Sequence, residues 1–348
     1  MKITDVKAIY PNYEHVVPSW RTNFWQIVVK VQTDLGYVGL GYGGGGIASV
    51  AIVNQHLKDV LIDTVIDTVQ DIQKIWDKLY FETLPYGRKG LAIMAISGID
   101  LALYDLLGKS TNQPVFELLG GARKDKIQAY ATGQDSELYC DLGFTAHKFP
   151  HRWSDDTDYQ IAIEKSKRVR SLFGPDARIM IDTYMSWDSI VTETMADLLT
   201  DYELFWFEDV MTPDDRSGQH SLRAICSPTL IAGGEHEFTQ FGFADLAERE
   251  SLGLWQPDIT WCGGLTAGIR ITDMAQELGI PVSPHRGAEV WGLSLIMASS
   301  WADFAECHSD HIKSEKDILW FGEPEVKDGF ICPSEGPGFG VSLNDSLL

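Results

Sequence analysis

The sequence predicts an α/β protein in which a barrel of alternating strands and helices follows a smaller α+β domain. From about Lys126 onward, eight short apolar segments of strand character alternate with longer helical or irregular connections. A (β/α) barrel needs eight strands, whereas a doubly wound sheet usually needs fewer. Six of the eight segments carry an acid or a histidine at or just before their ends: Asp182, Glu208, Glu235, Asp258, His285 and Glu306. The first five are spaced 26, 27, 23 and 27 residues apart. Residues 1–125 have a different texture, with strand signals first and helical periodicity after them.

The elements follow in order. The opening MKITDVKAIY reads as a strand, and Arg21–Asp34 and Tyr37–Tyr42 as two more, joined by a turn at Asp34-Leu35-Gly36. Helical periodicity then covers Ser49–Ile62, Ile66–Phe81 and Lys89–Leu107, the last with an apolar stripe of Ile93, Ile96, Ile99 and Leu103. Leu118-Leu119-Gly120-Gly121 supplies a helix stop. The barrel strands are expected at Ile127–Thr132, Phe144–Phe149, Arg178–Tyr184, Leu204–Val210, Leu230–Glu235, Leu252–Ile259, Pro281–His285 and Phe304–His308. The Gly- and Pro-rich tail is expected to return to the first domain. The domains are therefore 1–125 completed by 322–348, and a barrel of 126–321.

Composition narrows the function. With 348 residues, 44% of them apolar, the chain can bury a large core. Its apolar runs are short of a membrane span and its start lacks a signal-peptide core, so a cytoplasmic protein is expected. The five cysteines are scattered without a C-x-x-C pair, which argues against a disulfide framework or a cysteine zinc site. A net charge of −22 disfavours nucleic acid as a partner. It would also repel a small anion, unless the site gathers its own positive charge from a metal and a few Lys, His or Arg side chains.

The strand-end residues carry the chemistry, because barrel enzymes react substrates at the C-terminal ends of their strands. Asp182, Glu208 and Glu235 converging there would repel one another. A hard divalent cation removes that repulsion, and an oxygen shell with positions left for substrate suits Mg²⁺. His285 is the base candidate, and Asp258 on the preceding strand would orient its imidazole. Lys148, in HKFP, could hold a substrate carboxylate or an enolate oxygen. The next inward position is Pro150, which offers no acid or base. His236 reads as a substrate contact or as a support for Glu235, with His151 a further candidate contact. Cys307 reads as core. The run Gly41–Gly46 satisfies G-x-G-x-x-G, but its strand belongs to a hairpin and no acidic strand end follows. A mobile loop over the active site is expected there instead of a dinucleotide site.

Asp182, Glu208, Glu235, Asp258 and His285 together resemble the enolase superfamily, mandelate racemase subgroup. AISGIDLALYDLLGK…PVFELLGG resembles that group's junction between its two domains. GFTAHKFPHRW, IDTYMSWD, GEHEFTQFGF, QPDITWCGGLT and GPGFGVSLN resemble the L-rhamnonate dehydratase family. The likeness runs from about Met94 onward and is weak before it. It implies an α+β cap over a modified TIM barrel, (β/α)₇β, with Mg²⁺ on Asp182, Glu208 and Glu235 and a His285–Asp258 dyad. The rhamnonate enzymes carry an extended loop where Pro11–Arg21 is short here. Arg21 falls near a substrate-binding arginine of that family, and a homo-oligomer is expected.

The chemistry that fits is removal of a proton alpha to a carboxylate, with Mg²⁺ stabilising the enediolate and Lys148 and Glu306 assisting. His285 takes the C2 proton of an acid sugar, and the same imidazolium protonates the departing 3-hydroxyl to give a 2-keto-3-deoxy acid. Pro150 favours dehydration over racemisation, which needs an acid on each face. The alternatives are a racemase or epimerase of the same fold, a non-catalytic acid-sugar binder, and a nicotinamide dehydrogenase.

Overall fold

The computed structural model describes residues 1–13, 22–308 and 318–348. Three strands open the chain: β1 (Ile3–Ile9), β2 (Ile27–Thr33) and β3 (Val38–Gly43) form an antiparallel sheet in that order. The β2–β3 turn is tight because Gly36 takes φ 82°, a left-handed conformation open to glycine. β2 starts at Ile27, later than the sequence suggests, because residues 22–25 turn, with Asn23 at φ 71°.

Three helical stretches follow. The first runs from Gly46 to Leu61 through a π-helical turn at Val53–Leu57. The second, Val69–Thr83, begins on a capping box in which Thr68 and Asp71 bond each other's backbone N–H. The third, Leu91–Thr111, is long and apolar enough to cross a membrane by composition alone, yet 89% of its most apolar stretch is buried inside the protein. It lies against β3, and the glycines of the run from Gly41 make that approach possible. A Cβ at Gly41 would sit 2.0 Å from the Gly98 carbonyl oxygen, and one at Gly43 2.5 Å from that of Met94. The run is buried from Gly41 to Gly46, with Gly41 and Gly43 packed on the helix and Gly44 on Trp261, which corrects the expectation of a mobile loop.

The barrel strands are β4 (Ile127–Thr132), β5 (Ala146–Pro150), β6 (Arg178–Asp182), β7 (Trp206–Glu208), β8 (Leu230–Gly233), β9 (Leu254–Trp255) and β10 (Phe304–His308). They are parallel, in the order β10-β4-β5-β6-β7-β8-β9. Single bridges from Trp255 to Val282 and from Val282 to Ala302 close the ring. The expected strand at Pro281–His285 is thus reduced to one bridging residue, because the chain leaves the sheet to form the His285 loop.

The tail touches both parts. β11 (Trp320–Phe321) pairs with β13 (Ser342–Leu343), and β12 (Phe330–Ile331) lies antiparallel beside the start of β4. Phe339 N–H donates to Asp105 Oδ1 at 3.0 Å, and Lys30 pairs with Asp345 at 2.9 Å. The two parts also meet where Trp76 Nε1 donates to the Gly263 carbonyl at 2.7 Å and Thr266 Oγ1 to Asp100 Oδ1 at 2.6 Å.

Candidate active site

Tyr130, Ala146, Met180, Trp206, Ala232, Leu254 and Phe304 form one buried cluster inside the barrel. Side chains alternate along a strand, so residues two further on also face inward, nearer the C-terminal mouth. Those positions are Thr132, Lys148, Asp182, Glu208, Gln256 and Glu306, with Gly234 the seventh and without a side chain. An apolar floor thus carries a polar layer, which explains why so many charged groups are buried together.

Lys148 is the centre of that layer. Its Nζ donates to Glu208, lies 2.6 Å from Glu306 Oε1 and stands 4.0 Å from Asp182 Oδ2. Burial opposes its charge, but Glu208 and Glu306 outweigh that and hold its pKa well above the ordinary lysine value. Glu208 Oε2 accepts from Trp206 Nε1 at 3.0 Å and Gln256 Nε2 at 2.5 Å. Glu306 accepts from Thr132 Oγ1 at 2.7 Å and from the Arg286 backbone N–H at 2.8 Å.

The carboxylates are crowded. Burial pushes Asp182 up to about 6, with Glu235 adding to the effect and Lys148 opposing it. Burial likewise raises Glu208 to about 7, against Lys148 and with Asp182 and Glu306. Glu235 stands on the rim, where the chain leaves β8 through Gly234 at φ 121°. Buried carboxylates that disfavour their own ionisation are relieved by a hard cation, and this all-oxygen set fits Mg²⁺. Asp209 is a neighbour that sequence reasoning missed. Burial and then Glu235 raise its carboxyl well above the usual range, and its Oδ2 is 3.8 Å from His236 Nε2.

His285 and Asp258 do come together. His285 Nδ1 is 2.8 Å from Asp258 Oδ2, and its Nε2 is 3.3 Å from Glu235 Oε2. An ionised carboxylate only accepts, so Nδ1 carries the hydrogen of that bond and Nε2 is left for chemistry. Burial works against the charged imidazole, yet Glu235 and Asp258 raise it to about 9. Burial would also raise Asp258, but Arg286 and His285 outweigh it and hold the carboxyl at about 2.

Arg286 is the second residue missed. Its Nε donates to Asp258 Oδ2 at 3.0 Å, and its guanidinium lies 5.2 Å over the Trp261 ring and 5.4 Å over that of Trp25. A φ of 53° turns it back towards Asp258, and no periodicity signals such a turn. Gln256 was legible: it stands two before Asp258 in WQPD, on the inward parity.

The expected substrate contacts divide. His236 is 37% exposed, 3.4 Å from Glu235 Oε1, with its ring stacked on Trp261 at 6.3 Å. His151 is buried; its Nε2 bonds the Asp158 carbonyl at 3.0 Å and its ring edges against Trp187. Arg21 lies outside the described residues. Cys307 is buried, as expected of a core residue.

Residues 134–347 match the family described as enolase C-terminal domain-like. Residues 16–120 match the mandelate racemase/muconate lactonizing enzyme N-terminal domain. L-rhamnonate dehydratase from Saccharopolyspora erythraea is 36% identical over 350 residues, covering 98% of this chain and 89% of its own. The crystal structure of L-rhamnonate dehydratase from Gibberella zeae matches with a TM-score of 0.90 at 28% identity, covering 99% of this chain and 94% of that one. Rhamnonate dehydratase of the same organism complexed with Mg matches at 0.88 and 27%, covering 99% and 95%.

Proposed function

We infer function from one premise: the chain belongs to the mandelate racemase/muconate lactonizing enzyme family of the enolase superfamily. It is an enzyme, an acid-sugar dehydratase like its L-rhamnonate dehydratase relatives. Its substrate is an aldonate, and its product a 2-keto-3-deoxy acid and water.

Asp182, Glu208 and Glu235 would hold Mg²⁺, and the crowding of buried carboxylates supports that assignment. When bound, the ion supplies Lewis-acid stabilisation of the charge that builds on the substrate carboxylate. His285 Nε2 takes the C2 proton, while Asp258 holds the ring's orientation and balances the imidazolium. Lys148 and Glu306 form a buried ion pair within the polar layer, and His236 at the rim would bond a substrate hydroxyl.

The observation that carries this reading is the pairing of Lys148. A racemase needs a second acid/base on the other face, and the second barrel strand would supply it. Lys148 is instead bound between Glu208 and Glu306, and Pro150 takes the next inward place. His285 alone is left as the base once a cation takes up the Glu235 charge that holds its imidazole protonated, and elimination is then the outcome of proton removal. Incubating the protein with Mg²⁺ and five- and six-carbon aldonates, L-rhamnonate included, should yield a 2-keto acid from at least one. His285→Asn should abolish both product and exchange of the C2 proton with D₂O. Exchange at the normal rate in that variant would sink the assignment.

A further inference from the structure

The dehydratase reading leaves one proton without a dedicated donor. Breaking the C3–O bond expels hydroxide unless an acid protonates it, and His285 must then serve two neighbouring atoms in turn. His308 at the end of β10 has no part in the site so far. Phe304 faces the barrel interior and Glu306 the polar layer, so strand alternation puts His308 on the same inward side, one step nearer the mouth.

Its surroundings repeat those of His285. His308 Nε2 is buried and 3.6 Å from Glu306 Oε1, with no hydrogen-bond partner among the described residues. Glu306 is itself fixed by Thr132, Lys148 and the Arg286 N–H. Each histidine thus has a buried carboxylate beside one ring nitrogen, which leaves the other nitrogen for substrate. The two rings stand edge to face with centroids 5.6 Å apart. One ring nitrogen of each and a Glu306 oxygen fall within 4.8 Å of one another. Two acid/base groups so close, on adjoining barrel positions, can serve adjacent carbons of one substrate on the same side.

We propose that His308 is the general acid for the departing 3-hydroxyl, with His285 confined to carbon. The proposal rests on the dehydratase reading of the site. The C2–H bond breaks and its proton goes to His285. The C3–O bond breaks as the His308 imidazolium gives its proton to the oxygen, and water leaves. The enol formed between C2 and C3 then takes the His285 proton at C3. The enol O–H proton returns to His308 through solvent, which restores both histidines.

The test compares wild type, His308→Gln and His285→Asn, with Mg²⁺ and the aldonate that wild type turns over, in D₂O. For His308→Gln we expect 2-keto acid formation to fall about 10²- to 10⁴-fold, the usual contribution of a general acid. Recovered substrate should still gain deuterium at C2. A 3-deoxy-3-fluoro analogue of the same acid, whose fluoride needs no proton, should be eliminated by His308→Gln within a fewfold of wild type. A merely structural role would not give that rescue. Unchanged dehydration in His308→Gln, or joint loss of exchange, dehydration and fluoride elimination, overturns the proposal alone. A wild type that exchanges C2 but forms no keto acid overturns the dehydratase reading and this proposal with it.

Discussion

Glu208 shows how much of the site's character is decided one residue at a time. One of its oxygens faces Lys148 and the other accepts from Trp206 and Gln256, so the carboxylate is aimed before any cation arrives. Partners of this kind typically change metal affinity by about 10- to 100-fold. Gln256→Leu should weaken Mg²⁺ binding by that factor in a calorimetric titration; unchanged affinity would show that Gln256 does not aim the ligand. His147 behaves differently. It is buried, with Nδ1 2.9 Å from the Ala131 carbonyl and Nε2 2.9 Å from Ser136 Oγ, and burial holds its imidazole down at about 4. The unfolded chain binds the proton more readily, so His147 supports the fold fully above pH ~6.5 and loses that support as pH falls towards 4. The loss is about 3 kcal/mol. Urea unfolding from pH 4 to 8 should show it in wild type and a flatter curve in His147→Gln.

Between elements, close approach matters more than propensity. β3 and the helix Leu91–Thr111 meet backbone to backbone because Gly41 and Gly43 lack side chains. Gly41→Ala would force a Cβ to within 2.0 Å of the Gly98 oxygen. The variant should lose about 1–3 kcal/mol or more in urea unfolding, and an unchanged midpoint would mean that the strand and helix separate without cost. The motif was legible and its use was not. Five glycines in six residues at the end of a strand are compatible with a phosphate loop, a lid or tight packing, and only the helix lying across them decides. Strand boundaries show the same limit. β4 and β10 match their apolar runs, whereas the run at Pro281–His285 keeps one bridging residue. Its last residues are taken out of the ladder to deliver His285 to Asp258.

For the whole molecule, the N-terminal domain and the barrel share the site's supports. Gln26 on the strand side donates to Thr260 Oγ1 at 2.9 Å and accepts from Trp261 Nε1 at 2.7 Å. Trp261 in turn leans on His285 with ring centroids 5.7 Å apart. Gln26→Leu should therefore do two things: leave the buried Trp261 Nε1 unpartnered, at about 1–3 kcal/mol, and lower kcat for the aldonate substrate. A drop in the unfolding midpoint with kcat unchanged would separate the domain contact from the chemistry. Sequence alone determined the barrel, the spacing of its acids and histidine, and the family, because alternation and strand-end position are local patterns that one chain displays. Tertiary structure decided what those patterns do. Lys148 is a free cation on paper and a bound one in the fold, since its partners come from strands far along the chain. Arg286 and His308 entered the site for the same reason: ion pairs and shared carboxylates depend on distance in space, which periodicity does not encode.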